Sequence, residues 1–485
     1  MIRNKIFLLC LLICLRWGAS AQIPEPIEQL LQTSYMRGAS FSFIAKDLQN
    51  GEILYEYDMD RLLSPASVLK VVSTATALDL LGEDYQYPTS LQYDGTLQDG
   101  VLRGNLYIKG SGDPSLGSSH FAPEHREFLS AWFSALEQAG VRQITGSIIA
   151  DESIFDTEGA STKWLREDMG NYYAAGSYGL SVFDNLYKLF LRTGTVGTLP
   201  TVIGMEPQIS SIQFKNYLKV AAISSDSAYI IGAPLEDIRY LYGSLPANRE
   251  SYVLKGDIPD PALFLAQYFT SFLQQRGIQV DGNPSCHRIE VEQKRWKRKE
   301  RKTLVTTYSP PLREIVRVCN HVSHNLYADA LLKTVGLQYK KQKNEVISSF
   351  GQGIEVIKEY WKEKGLDVQS LKMYDGSGLA PMDKVSARFM GDLLFYMATQ
   401  SKVSEAFRAS LPEVGVEGSV RNFLKGTKLQ GKAQLKSGGI TGVRCYVGYI
   451  TKGEKQYAVA LFSNNYTCSM RDMTKGLERL LLRLF

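Results

Sequence analysis

From Val68 to Leu81 the chain carries Val68, Leu69, Val71, Val72, Ala75, Ala77, Leu78, Leu80 and Leu81, leaving no polar face wide enough for a surface helix. A helix that is apolar nearly all round is a buried one, so the rest of the chain must be built to cover it. Pro65-Ala66 leads in, the spacing predicts a helix over 67–81, and Gly82 ends it. Its open end carries Ser67-Val68-Leu69-Lys70, the one S-x-x-K in the sequence. Three residues apart on a helix, Ser67 and Lys70 share a face. Ser67 also lies in the positive field of the helix N-terminus, which favours an oxyanion. A serine hydroxyl is a weak nucleophile until a neighbouring base takes its proton. A lysine can be that base once desolvation or a second cation lowers its pKa. Taken alone, the pattern reads equally as a serine helix cap.

At 485 residues the chain is too long for one ordinary core, and two or three domains are expected. With 44% hydrophobic and 22% charged residues it has the composition of a soluble globular protein. Residues 1–21 read as a secretory signal: Arg3 and Lys5, an apolar run from Ile6 to Leu15, and Ala19-Ser20-Ala21 before Gln22. The apolar run is too short to span a bilayer, and no transmembrane span is expected in the mature chain. Losing Arg3, Lys5 and Arg16 takes the formal charge from +5 to about +2, which offers no argument for a nucleic-acid partner. Cys286, Cys319, Cys445 and Cys468 are scattered. Export permits disulfides, but pairing is not readable from spacing, and free buried thiols fit equally. Oligomeric state is not readable either.

In chain order, a short helix is expected over 25–35, then strands over 40–45 and 53–57 joined at Asn50-Gly51, and then the buried helix. From about Tyr85 to Lys302 short strands dominate, at 87–93, 101–109, 143–150, 210–223, 227–231 and 249–254, with helices at 123–138 and 262–275. This is material for one or two β-rich domains that interrupt the first. The basic run Lys294–Lys302 reads as a solvated surface. After Pro310 helical periodicity returns: a helix from Pro311, one from Asn325 to Val335 stopped by Gly336, then 351–364, 386–399 and 404–410. Strands follow at 432–437, 443–451 and 456–463, and an amphipathic helix at 470–484 closes the chain.

Three short motifs stand in order: Ser67-Val-Leu-Lys70, Ser323-His-Asn325 and Lys436-Ser-Gly438. S-x-N is weak alone and recurs at Ser463-Asn464-Asn465; the ordered set is strong, matching the S-x-x-K, S-x-N and K-T-G combination of penicillin-recognising serine enzymes. With them stand Gly112-Asp113-Pro114, Ser309-Pro310-Pro311-Leu312, Asp375-Gly376-Ser377-Gly378-Leu379 and Leu411-Pro412 to Gly418. Over nearly the whole mature chain, these stretches resemble the peptidase S13 family, the penicillin-binding-protein-4-type D-alanyl-D-alanine carboxypeptidases and endopeptidases. The 256 residues between Ser67 and Ser323 fit that family's large insert and not the shorter interval of class A β-lactamases.

The resemblance implies an α/β (α+β) transpeptidase-like domain, an antiparallel sheet flanked by helices, built from 22–84 and 305–485, with a β-rich insert at 85–304. It implies a periplasmic serine DD-peptidase acting on peptidoglycan stem peptides and acylated by β-lactam antibiotics. Ser67 would be the nucleophile and Lys70 its base. Ser323 would relay a proton to the leaving amine, and Asn325 would hold Lys70 and the substrate amide. Lys436 would keep Lys70 neutral by like-charge repulsion and, with Ser437, bind the terminal carboxylate. The N–H groups of Ser67 and Gly439, beside Gly438, would form the oxyanion hole. In the insert, Asp168 and Tyr173 occupy the places of residues that contact the stem-peptide side chain. Ser437 stands where the family usually has Thr and keeps the hydroxyl. Pro381 and Thr441 stand where members carry Arg and Gln, so the resemblance fixes no side-chain specificity there.

A β-lactamase reading needs a base to activate the deacylating water, and the sequence marks none. A non-catalytic cell-wall binding protein would not need the Ser-Lys pair. His321 and His324 share a helical spacing but have no carboxylate cluster near them in sequence, so neither a metal nor a cofactor is expected.

Overall fold

The computed structural model describes residues 23–339 and 348–485; the signal reading of residues 1–21 lies outside them. One five-stranded antiparallel sheet organises the molecule, in the order Ile53–Tyr57, Ser40–Asp47, Lys455–Asn464, Val443–Lys452, Ala433–Ile440. Chain start and chain end are therefore adjacent strands, with Phe43 opposite Leu461 and Ala45 opposite Val459. Successive residues point to opposite faces, and here both faces are covered. Phe41, Phe43, Tyr446, Val459 and Leu461 pack under the closing helix Met470–Leu484 and the short helix Glu25–Leu31. Ile44, Cys445, Val447, Ala458, Ala460 and Phe462 face the helices Lys70–Leu81, Leu312–Val322, Asn325–Tyr339 and Ala387–Thr399.

The Lys70–Leu81 helix is the centre of that second layer, buried from Lys70 through Leu78. Each fully buried Val or Leu there contributes roughly 1.5–3 kcal/mol against exposure. Helix Asn325–Tyr339 lies against it and is buried from Leu326 to Gly336. Gly336 does not stop that helix. A Cβ there would sit 2.5 Å from Gly353 N, so the glycine lets helix Ser349–Glu363 close on its neighbour.

The insert has its own core. Leu91, Ile108, Trp132, Ile148, Leu189, Leu241, Leu265 and Phe269 belong to an apolar cluster drawn wholly from residues 91–286. Its strands are shorter than the sequence suggests. The run 101–109 breaks at Gly104, giving Val101–Arg103 to one sheet and Leu106–Lys109 to another. The run 143–150 breaks likewise into Gln143–Ile144 and Ile148–Asp151. Continuous apolar patterning cannot reveal a strand that changes sheets, because both halves are buried. The expected helix at 123–138 divides at Glu127 into Pro123–Arg126 and Phe128–Gln138. Leu186–Thr193, the centre of a three-stranded sheet, and Lys302–Tyr308 are strands that were not expected. The basic run before Lys302 is only partly solvated: Arg301 bonds Asp151 at 2.6 Å and lies 3.8 Å over the Tyr107 ring, and Lys299 bonds Asp94 at 2.7 Å. Cys286, Cys319, Cys445 and Cys468 are all unpaired.

Candidate active site

The S-x-x-K motif begins with a turn of 3-10 helix, Ala66–Leu69, before the α-helix starts at Lys70. This corrects the expected single helix and brings Ser67 and Lys70 closer, because residues three apart eclipse one another in a 3-10 turn. Lys70 Nζ lies 3.0 Å from Ser67 Oγ and donates to Ser377 O at 2.6 Å. Lys70 is fully buried, whereas Ser67 is half-buried. Ala66 holds a φ of +45°, a strained backbone for a residue with a Cβ. Gly378 (φ +77°) presses on it: a Cβ there would lie 1.9 Å from Ala66 O. The Asp375–Gly378 loop thus clamps the turn that carries Ser67.

That loop is held by buried carboxyls. Asp375 accepts from the N–H groups of Ser377, Gly378 and Ala380, and Asp329 accepts from Gly376 N at 2.7 Å. Burial lowers the Lys70 pKa, against the opposing influence of Cys319, Asp329, Asp375 and Asp383.

The edge strand Ala433–Ile440 passes over the turn. A Cβ on Gly438 would lie 2.6 Å from Pro65 O and 3.1 Å from Ser67 N, so only glycine permits this approach. Lys436, two residues earlier, is fully buried and donates to Ser323 Oγ at 2.9 Å and to Ser437 O at 2.6 Å. Burial, and then the charge of Lys70, hold Lys436 well below the lysine range. Burial is thus the largest cause for both lysines, and like-charge repulsion comes second at Lys436. Ser437 Oγ meets Ser419 Oγ at 2.8 Å. Gly439 is exposed.

Ser323 ends helix Leu312–Val322 in the left-handed conformation (φ 61°, ψ 46°), which turns the S-x-N segment toward Lys436. Asn325 is placed otherwise than expected: its Nδ2 donates to Tyr173 O at 2.6 Å, tying the motif to the insert. Tyr173 in turn lies with its hydroxyl 3.2 Å from Asp168 Oδ1, and burial raises the Asp168 pKa. Asp168 and Tyr173 are therefore one unit beside the second motif. Trp164 adds a further tie, donating to Asp375 Oδ2 at 2.7 Å. His321 and His324 do not face each other as a pair: His321 turns to Glu417 (3.7 Å) and His324 to Asp184 (3.6 Å). The second S-x-N copy is structural. Asn464 accepts from Ser64 N at 2.7 Å and donates to Ser64 O at 3.1 Å, tying the end of strand Lys455–Asn464 to the segment before Ser67.

Sequence reasoning missed Ser419, Asp329, Asp383 and the backbone carbonyls of Ser377 and Tyr173. Carbonyls carry no residue-type signal. Asp329, four residues after Asn325 on one helix face, was the one that spacing could have found.

Comparison with known proteins matches the chain to the model of the D-Ala-D-Ala carboxypeptidase 3 (S13) family over residues 24–484. The chain belongs to this family. It is accordingly a serine-type hydrolase of the D-alanyl-D-alanine carboxypeptidase class. It is 27% identical over 463 residues to a D-alanyl-D-alanine carboxypeptidase of an Actinomadura species, covering 92% of this chain and 81% of that one. It is 24% identical over 445 residues to the D-alanyl-D-alanine carboxypeptidase DacB of Haemophilus influenzae, covering 90% of this chain and 88% of that one. The crystal structure of penicillin binding protein 4 from H. influenzae superposes with a TM-score of 0.80 at 22% identity, over 94% of this chain and 98% of that one. This likeness establishes the mixed α/β fold with antiparallel sheets flanked by helices and further sheet-rich regions. No helix among the described residues is long and apolar enough to cross a membrane.

Proposed function

We propose that this protein hydrolyses the D-alanyl-D-alanine bond of peptidoglycan stem peptides, and D-alanyl cross-links, through an acyl-enzyme on Ser67. The observation that carries the reading is the 3.0 Å contact between Ser67 Oγ and the amine of a fully buried Lys70 whose pKa burial lowers. Neutral Lys70 takes the Ser67 proton as Oγ attacks the carbonyl between two D-alanines. The N–H groups of Ser67 and Gly439 meet the oxyanion; losing one such donor typically costs ~3 kcal/mol. Ser323, oriented by Lys436, relays the proton taken up by Lys70 to the departing D-alanine amine, and a water that gives its proton to the restored neutral Lys70 then releases the acyl group. Lys436 and Ser437 take the terminal carboxylate. That carboxylate draws Lys436 back toward its charged form, because an opposite charge favours the ion. Asp168, with Tyr173, faces the stem-peptide side chain.

We assign residues 22–84 and 305–485 to the peptidase domain and 85–304 to the insert, in keeping with an apolar cluster whose buried members all fall within residues 91–286. The place of action is the periplasm, after removal of residues 1–21. β-Lactams are the acylating inhibitors; the H. influenzae relative has been crystallised with one.

The test is labelling of the purified protein with a fluorescent penicillin, with intact mass, beside Ser67→Ala, followed by D-alanine release from a pentapeptide. One adduct, lost in the variant, is expected. No adduct on folded protein overturns the serine mechanism, and rapid penicillin turnover would favour a β-lactamase.

A further inference from the structure

Beside the second motif, three side chains far apart in sequence converge. His120 follows the Ser115–Ser118 turn of the insert, Asp184 sits in the insert's Phe183–Asn185 turn, and His324 stands between Ser323 and Asn325. Each offers one ligand atom, and these atoms lie within 4.8 Å of one another. We propose that His120, Asp184 and His324 form a Zn2+ site that fastens the insert to the turn carrying the second motif.

Two imidazoles and a carboxylate are a zinc ligand set, whereas calcium and magnesium take oxygen ligands. Around tetrahedral zinc, ligand atoms stand about 3.3 Å apart, given metal bonds of 2.0–2.2 Å. His324 Nε2 and Asp184 Oδ1, at 3.6 Å, are nearly there already. The adjustment falls to His120, which is exposed and can rotate. Water would complete the fourth position.

Buried Asp184 and half-buried His324 are held for the task. The His324 ring stacks on Tyr327 with centroids 4.1 Å apart, and the His120 ring meets it edge-on at 5.6 Å. Tyr327 Oη lies 2.8 Å from Asp184 Oδ1 and 2.8 Å from Ser118 Oγ. A phenol has one proton, so it donates to the carboxylate and accepts from the serine. Ser118 Oγ also accepts from His120 N at 3.2 Å. One tyrosine–serine pair therefore joins the Asp184 carboxylate, the face of the His324 ring and the His120 backbone. The charge balance points the same way. Asp184 is 5% exposed, and among the described residues its one ion-pair partner is His324. A buried carboxylate without a lysine or arginine is expensive, and a divalent cation answers it.

The experiment uses tag-free protein stripped with a chelator and titrated with ZnCl2 by calorimetry, with Co2+ absorption as a second readout. One ion per chain is expected, with a higher melting temperature. Affinity should fall at least tenfold in His120→Ala and in Asp184→Asn, and stay unchanged in His125→Ala, a nearby surface control. His120→Ala should still label with penicillin, which shows that it folds. Absence of zinc binding, or equal affinity in wild type and His120→Ala, overturns the proposal and leaves a hydrogen-bonded His-Asp-Tyr cluster.

Discussion

Two lysines on packed neighbouring helices, Lys70 and Lys333, are alike in burial and unlike in what they touch. Lys70 is 0% exposed and Lys333 is 1% exposed. Burial lowers both, Lys333 to about 8, and Asp329 opposes the shift at both. Lys333 donates to Glu158 O and Ser177 O, each at 2.7 Å, and lies 4.2 Å over the Phe350 ring. A carbonyl only accepts, so Lys333 has no proton to take and serves as a strut into the insert. Lys70 has one carbonyl and one hydroxyl, and the hydroxyl belongs to half-buried Ser67. A perturbed amine becomes a base only where a proton-bearing partner stands beside it; burial alone does not separate a site from a joint.

The contrast can be broken by exchange of roles. Lys70→Met should lower the rate of penicillin acylation about 10²–10⁴-fold, the range of a lost general base, with little loss of fold. Stopped-flow labelling reads this, and near-wild-type acylation would place the base elsewhere. Lys333→Met should do the reverse. It leaves Glu158 O and Ser177 O unpaired at roughly 1–3 kcal/mol each, seen in urea unfolding, while acylation changes less than tenfold.

The pH dependences should differ too. Acylation should rise with pH as Lys70 loses its proton, with a midpoint below the usual lysine value of about 10.4. The folded pKa of Lys333 lies below its unfolded one, so between about 8 and about 10.5 the unfolded chain binds more protons, and stability rises with pH. Lys333→Met should flatten that rise, as measured by denaturation at several pH values; an unchanged slope would mean another group titrates there.

The smallest effect belongs to the cleft wall. Ser437→Ala removes a hydroxyl proposed to meet the substrate carboxylate, a charged hydrogen bond of about 1.5–3 kcal/mol, and should cut kcat/KM for a D-alanyl-D-alanine peptide by about tenfold or more. Ser437→Thr should retain activity, and equal loss in both would assign Ser437 to packing against Ser419 instead.

The strands Val443–Lys452 and Lys455–Asn464 were readable because each is largely apolar and flanked by turn residues, and the closing helix because its charges share one face. The breaks at Gly104 and Glu127 were not, since apolar patterning records burial and not which sheet or helix buries it. Gly336 looked like a stop because a glycine's role as a contact depends on a helix that arrives later in the chain.

By itself the sequence determined the local chemistry of the candidate site: Ser67 and Lys70 paired at a helix start, Ser323 at a helix break, Lys436 beside a glycine pair. These follow from spacing, and spacing is local. Tertiary structure decided what no spacing contains. It set Ser323 against Lys436, turned Asn325 to the carbonyl of Tyr173, put the Ser377 carbonyl on Lys70, and brought His120 and Asp184 to His324. Each of these joins segments that touch only because a buried helix and a two-faced sheet must be covered by whatever chain remains.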